Sequence, residues 1–137
     1  MRRIKNYERY ILGPERMGEI PIDIALEPVA DLCGTVFSAI QFALFGGASK
    51  IFLVGFDCNV SHFFEKDVNS MNLSGQYPSW LRIKDFQEDY FTETEIISVN
   101  PVGLKGLFKD IYTQSYVDAH PELLKENIEI INEEIVC

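Results

Sequence analysis

The stretch from Gly34 to Asn59 constrains the fold more than any other part of this chain: a run of apolar residues with few polar interruptions, a Gly46-Gly47 pair, then a second apolar run that ends in an acid. Ile51 to Phe56 shows no polar alternation, which predicts a strand covered on both faces, as in parallel sheets flanked by helices. The strand is expected over Lys50–Phe56, delivered by a glycine stop in the left-handed conformation. Asp57 then stands where the chain has just left the sheet. In open α/β sheets the crevice beyond the carboxyl ends of the strands is where ligands bind, so Asp57, Cys58 and Asn59 are the first candidate site residues.

Ahead of that strand, Asp31 is placed to cap a helix running to about Phe45, with Cys33, Val36, Phe37, Ile40 and Leu44 on one face. Its polar residues, Thr35, Ser38 and Gln41, form one narrow stripe that faces either water or a ligand. Gly34, Thr35 and Ser38 at the helix start could receive a phosphate on free backbone N–H groups; the competing reading is a glycine chosen for close packing. Upstream, residues 7–13 and 20–26 are short extended candidates, although Pro21 makes the second a poor central strand.

Residues 58–79 carry no periodicity. A structureless run of that length is uncommon in a compact domain, and His62, Phe63, Phe64 and Tyr77 make it too aromatic for a linker, so it reads as a lid that orders over a site. His62 is the candidate general base, because imidazole exchanges protons near neutral pH; the alternative is a histidine packed into the lid. Asp57, Cys58, His62 and Glu65 match no metal-ligand spacing, and neither a metal nor a cofactor is expected. Trp80 to Phe91 then reads as an amphipathic helix with Leu81, Ile83, Phe86 and Tyr90 inward, followed by a strand at Glu95–Val99 that Asn100-Pro101 ends. Gly103 and Gly106 keep the next stretch irregular. His120-Pro121 opens a last expected helix, in which Leu124, Ile128, Ile131 and Ile135 recur at 4-3-4 spacing, a seam that packs against the sheet or against another subunit.

The 137 residues fit one domain, 1–137, and the order of elements predicts an α/β, Rossmann-like three-layer sandwich with a mainly parallel sheet, expected to be the C-terminal part of a larger fold. A net charge of -9, with the 12 Lys and Arg scattered, argues against a nucleic-acid surface. No apolar run reaches the ~20 residues that span a bilayer. Cys33, Cys58 and Cys137 form no CxxC pair and read as reduced thiols, and a cytoplasmic setting is expected.

The residues Pro28 to Asp57 resemble a segment shared by the bacterial lipooligosaccharide sialyltransferases and by the Rossmann-like group that holds flagellin-glycosylation accessory factors and archaeal hydroxymethylpterin pyrophosphokinase. A small-residue turn, here Gly34-Thr35-Val36, opens a helix, and a strand of the form I-Y-L-x-G-x-D follows, here Ile51 to Asp57. Thr94 to Pro101 resembles the next strand of those proteins with its Asn/Pro turn. The resemblance implies a nucleotide or nucleotide-sugar held by the Gly34-Thr35 turn and by the residues from Asp57 to Asn59; Asn100 joins them as a nucleotide-binding candidate, and Asp57 with His62 are the catalytic candidates. Cys58-Asn59 stands where the sialyltransferases carry an aromatic pair, and His62-Phe63 lies in the region of their second tyrosine. What this implies is a glycosyltransferase-like activity in surface-polysaccharide biosynthesis. The alternatives are a catalytically silent accessory domain that self-associates and a phosphotransferase acting on a pterin-like substrate.

Overall fold

The computed structural model describes residues 19–32, 34–56, 58 and 76–132. Its frame is a four-stranded sheet in the order β1-β2-β3-β4, with β1 at Lys50–Val54, β2 at Glu95–Val99, β3 at Lys109–Thr113 and β4 at Ile130–Ile131. Every pairing is parallel, with Ile51 opposite Ile96, Val99 opposite Ile111 and Thr113 opposite Ile131. This is an α/β fold with the Rossmann-like parallel layer expected from the sequence. Among the described residues three α-helices pack on it: α1 (Thr35–Phe45), α2 (Tyr77–Tyr90) and α3 (Gln114–Ala119).

Successive strands advance in one direction across the sheet, and with connections of one hand that order puts every crossover on the same face. The packing agrees. Leu53 and Ile96, on one face by register, join Phe37, Ile40 and Leu44 of α1 and Trp80, Ile83 and Phe86 of α2 in the main core. On the same face Tyr112 packs with Val117 of α3 and with Leu123. Ile97, Val99 and Ile111 form a separate cluster on the opposite face.

Local chemistry explains each helix boundary. α1 begins at Thr35 rather than near Asp31, because Gly34 is its N-cap in extended backbone with no side-chain cap bond. It ends at Gly46, and Gly47 takes the left-handed turn at φ 76° that a side chain resists. Gln41 is not part of an outward polar stripe. It is buried, and its amide accepts from the Ala30 N–H at 2.9 Å and donates to the Ala30 carbonyl at 3.0 Å, tying the segment before the helix to α1. In α2, Pro78 sits in the first turn, where its missing N–H removes no helix bond. Leu81 and Tyr90, expected inward, are exposed, and Ser79 and Trp80 take the buried positions.

Three further expectations are corrected. The run Ile51–Phe56 is not covered on both faces: β1 forms one edge of the described sheet, where Phe52 is 36% and Val54 54% exposed. Ile96 to Val99 is the stretch that is buried throughout. Among the described residues the expected last helix is not formed: after a 3₁₀ turn at Pro121–Lys125 the chain extends, and Ile130–Ile131 pairs with β3. Leu124 is 63% exposed, so Leu124, Ile128 and Ile131 do not share a helix face, and Ile135 lies outside the described residues. Around Asp23 the second extended candidate is instead a turn, in which the Asp23 carbonyl accepts from the N–H groups of Leu26 and Glu27.

Candidate functional site

Geometry singles out the carboxyl edge of the sheet. α1 ends beside the start of β1, and its exit is stapled to β2 where the Thr94 hydroxyl donates to the Ala48 carbonyl at 2.6 Å and the Glu95 N–H to Ser49 at 2.9 Å. Both α1 and α2 run into the amino edge, so both begin at the carboxyl edge, next to the ends of β1 and β2. Neither has a side-chain bond from its N-cap residue or an acid in its first turn. Two helix starts without carboxylates present positive dipole ends to whatever lies there.

At this edge two neighbouring strands end in unusual backbone. Beyond β1, Gly55 has φ 74° and Cys58 φ 45°; beyond β2, Asn100 has φ 51°. Left-handed backbone at non-glycine residues is uncommon, and asparagine is among the residues that tolerate it best. Asn100 is held there by β3. Its Oδ1 accepts from the Thr113 N–H at 2.9 Å, its Nδ2 donates to the Thr113 hydroxyl at 3.0 Å, and its own N–H reaches the Ile111 carbonyl at 2.9 Å. Thr113 in turn caps α3, accepting from the Tyr116 N–H at 3.4 Å. The Asn100 amide therefore has a structural use.

Gly34 has one as well. A Cβ at this residue would come within 3.3 Å of the Phe37 ring, so close packing accounts for the glycine, and its φ of -178° makes no demand of its own. Thr35 is exposed. Below these helix starts Trp80 is packed among aromatic rings, edge-on to Phe37 at 4.8 Å, to Phe56 at 5.8 Å and to Phe108 at 6.1 Å. Of the expected site residues, Gly34, Thr35 and Asn100 thus share the carboxyl edge. Asp57, Asn59 and His62, with most of the expected lid, lie outside the described residues.

Sequence reading missed a polar group inside the fold. Ser98, Asp110 and Tyr112 share the helix-covered face of β2 and β3, and the Ser98 hydroxyl, Asp110 Oδ1 and the Tyr112 hydroxyl are buried without a hydrogen-bond partner. Burial pushes the Asp110 carboxyl above the usual carboxylate range, against the pull of the Gly106 N–H and the Lys105 ammonium. Burial likewise raises the Tyr112 phenol. Lys105 is held by Glu126 at 2.7 Å, and that contact raises its own affinity for a proton. The spacing of Asp110 and Tyr112 at i and i+2 puts them on one face of a β period, a signal that counts only once Lys109–Thr113 is known to be a strand.

Two hollows among the described residues open at the amino edge: one of about 460 Å³ between the end of α2 and the starts of β2 and β3, and one of about 390 Å³ between the end of α1 and the α2–β2 turn. Across the starts of the strands runs a ladder of alternating charge, Lys50–Glu95 at 4.0 Å, Lys109–Glu95 at 3.8 Å and Lys109–Glu129 at 3.1 Å. No helix among the described residues is long and apolar enough to cross a membrane. Comparison of the chain with models of known families, with curated proteins and with solved structures returns no match in any of the three.

Proposed function

We propose that the carboxyl edge of this sheet binds the phosphate portion of a nucleotide or nucleotide-sugar, in a glycosyltransferase-like protein of surface-polysaccharide biosynthesis acting in the cytoplasm. The observation that carries the reading is the pair of left-handed non-glycine residues, Cys58 and Asn100, at the ends of adjacent parallel strands, because backbone of that kind clusters at ligand sites. The starts of α1 and α2 beside them supply N–H groups and dipole suited to an anion. In the reaction, the acceptor hydroxyl forms a bond to the anomeric carbon as the sugar–phosphate bond breaks. His62 takes the hydroxyl proton, Asp57 and Asn59 orient the donor, and the nucleotide leaves with the bonding electrons.

Calorimetric titration with cytidine, uridine and guanosine nucleotides tests this. Saturable binding of one of them, weakened by the negative charge that Thr35→Glu introduces at the helix start, is the expected result. Heat no different from dilution for all three removes the proposal.

A second reading, a catalytically silent domain that self-associates, is favoured by the structural uses of Asn100 and Gly34 and by the exposed Phe52 and Val54 on the edge strand. It predicts no nucleotide binding, together with a light-scattering mass above 15.7 kDa that falls on dilution.

A further inference from the structure

Under the helices, a buried hydroxyl and a half-buried carboxyl with one buried oxygen face each other across the sheet. Ser98 on β2 is the direct register partner of Asp110 on β3. Neighbouring strands lie about 4.8 Å apart, so the two side chains rise side by side from the same face. Ser98 is 2% exposed, and neither its hydroxyl nor Asp110 Oδ1 has a protein partner. The second Asp110 oxygen, Oδ2, accepts from the Gly106 N–H at 2.8 Å, which ties the connection between β2 and β3 to this spot. Leu104 and Leu107 of the same connection are buried in the core.

A buried hydroxyl or carboxylate oxygen left unmatched is destabilising, and folded proteins rarely tolerate two such groups together. One water making two ordinary hydrogen bonds can join neighbouring oxygens that do not bond each other directly. We propose that Ser98 and Asp110 hold a single internal water, which donates one hydrogen to Asp110 Oδ1 and accepts the hydrogen of the Ser98 hydroxyl. Its second hydrogen is directed to another acceptor on that face, for which the buried and unpartnered Tyr112 hydroxyl is the candidate. Water suits the site better than a metal ion: no three His, Cys, Asp or Glu side chains gather among the described residues, and the Lys105 charge already acts on Asp110. Such a water would make β2, β3 and their connection one hydrogen-bonded unit.

The test combines a crystal structure at a resolution that orders solvent with carboxyl carbon NMR titration of Asp110 in the wild type and in Ser98→Ala. The expected result is a water within hydrogen-bond distance of both side chains, and an Asp110 midpoint that moves to higher pH in Ser98→Ala as its carboxylate loses solvation. A direct Ser98–Asp110 bond, density that refines as a cation, or an unchanged midpoint overturns the proposal. Should Ser98→Ala fail to fold, a long-lived water cross-peak to residues beside Ser98 in the wild type decides the matter. Its presence supports the water and its absence removes it.

Discussion

Asn100 and Thr113 share a two-way hydrogen bond across the ends of β2 and β3. The Thr113 N–H reaches Asn100 Oδ1 at 2.9 Å while Asn100 Nδ2 reaches the Thr113 hydroxyl at 3.0 Å. One asparagine thereby terminates β2 in left-handed backbone, secures β3 and orients the residue that caps α3.

Two replacements separate these roles. Asn100→Gly keeps the backbone freedom and loses the side-chain bonds, whereas Asn100→Ala loses both. We expect Asn100→Gly to lower stability by about 1–2 kcal/mol and Asn100→Ala by about 1 kcal/mol more, measured by urea denaturation. Equal losses would mean that the left-handed backbone makes no demand on the side chain.

Gln41 bonds both backbone groups of Ala30 from inside the core. Gln41→Ala leaves that N–H and carbonyl unmatched, with an expected loss of about 2–4 kcal/mol. Gln41→Leu, which fills the space without the amide, should be no better. Recovery of wild-type stability in Gln41→Leu would show that volume rather than hydrogen bonding matters there.

Asp110 gives a pH dependence with a definite sign. Its carboxyl is raised above the ordinary 3.8 chiefly by burial, so the folded chain holds that proton more tightly than the unfolded chain does. This group therefore lowers stability as the pH rises from about 3.8 through its folded value, and the loss persists at neutral pH. Asp110→Asn keeps an acceptor for the Gly106 N–H and removes the charge. Its melting temperature should exceed that of the wild type at pH 7, with the gain fading toward pH 4. A variant less stable at pH 7 would show that the attraction of the Lys105 charge outweighs burial.

For the proposed reaction, His62→Ala should reduce transfer or donor hydrolysis by about 10²-fold or more, the usual effect of losing a general base, with little change in melting temperature. Parallel loss of stability and activity would instead mark His62 as a packing residue.

The helices α1 and α2 and the strands β1 and β2 were legible because their apolar spacing is long and unambiguous. β3 was not: Lys109-Asp-Ile-Tyr-Thr is half polar, since the face beneath the helices carries Asp110 and Tyr112. The end of the chain misled in the opposite direction. Isoleucines at 128 and 131 satisfy a helical repeat, but Ile128 and Ile130 also alternate, and Ile130–Ile131 pairs with β3 in a strand that suits β-branched side chains. At the site, the glycine-opened helix and the Asn/Pro turn were found at the expected edge. That Gly34 packs on Phe37 and Asn100 bonds Thr113 could not be read from the residues alone, because both depend on partners brought together by the fold.

The ring cluster around Trp80 carries a practical consequence. It is the one tryptophan of the chain, fully buried where the first turns of α1 and α2 meet the end of β1. Indole emission there reports selectively on that junction, with no second fluorophore of its kind to dilute the signal. A nucleotide settling over the helix starts would shift its wavelength or its quenching by acrylamide, so the chain carries its own optical gauge at the place where binding is proposed.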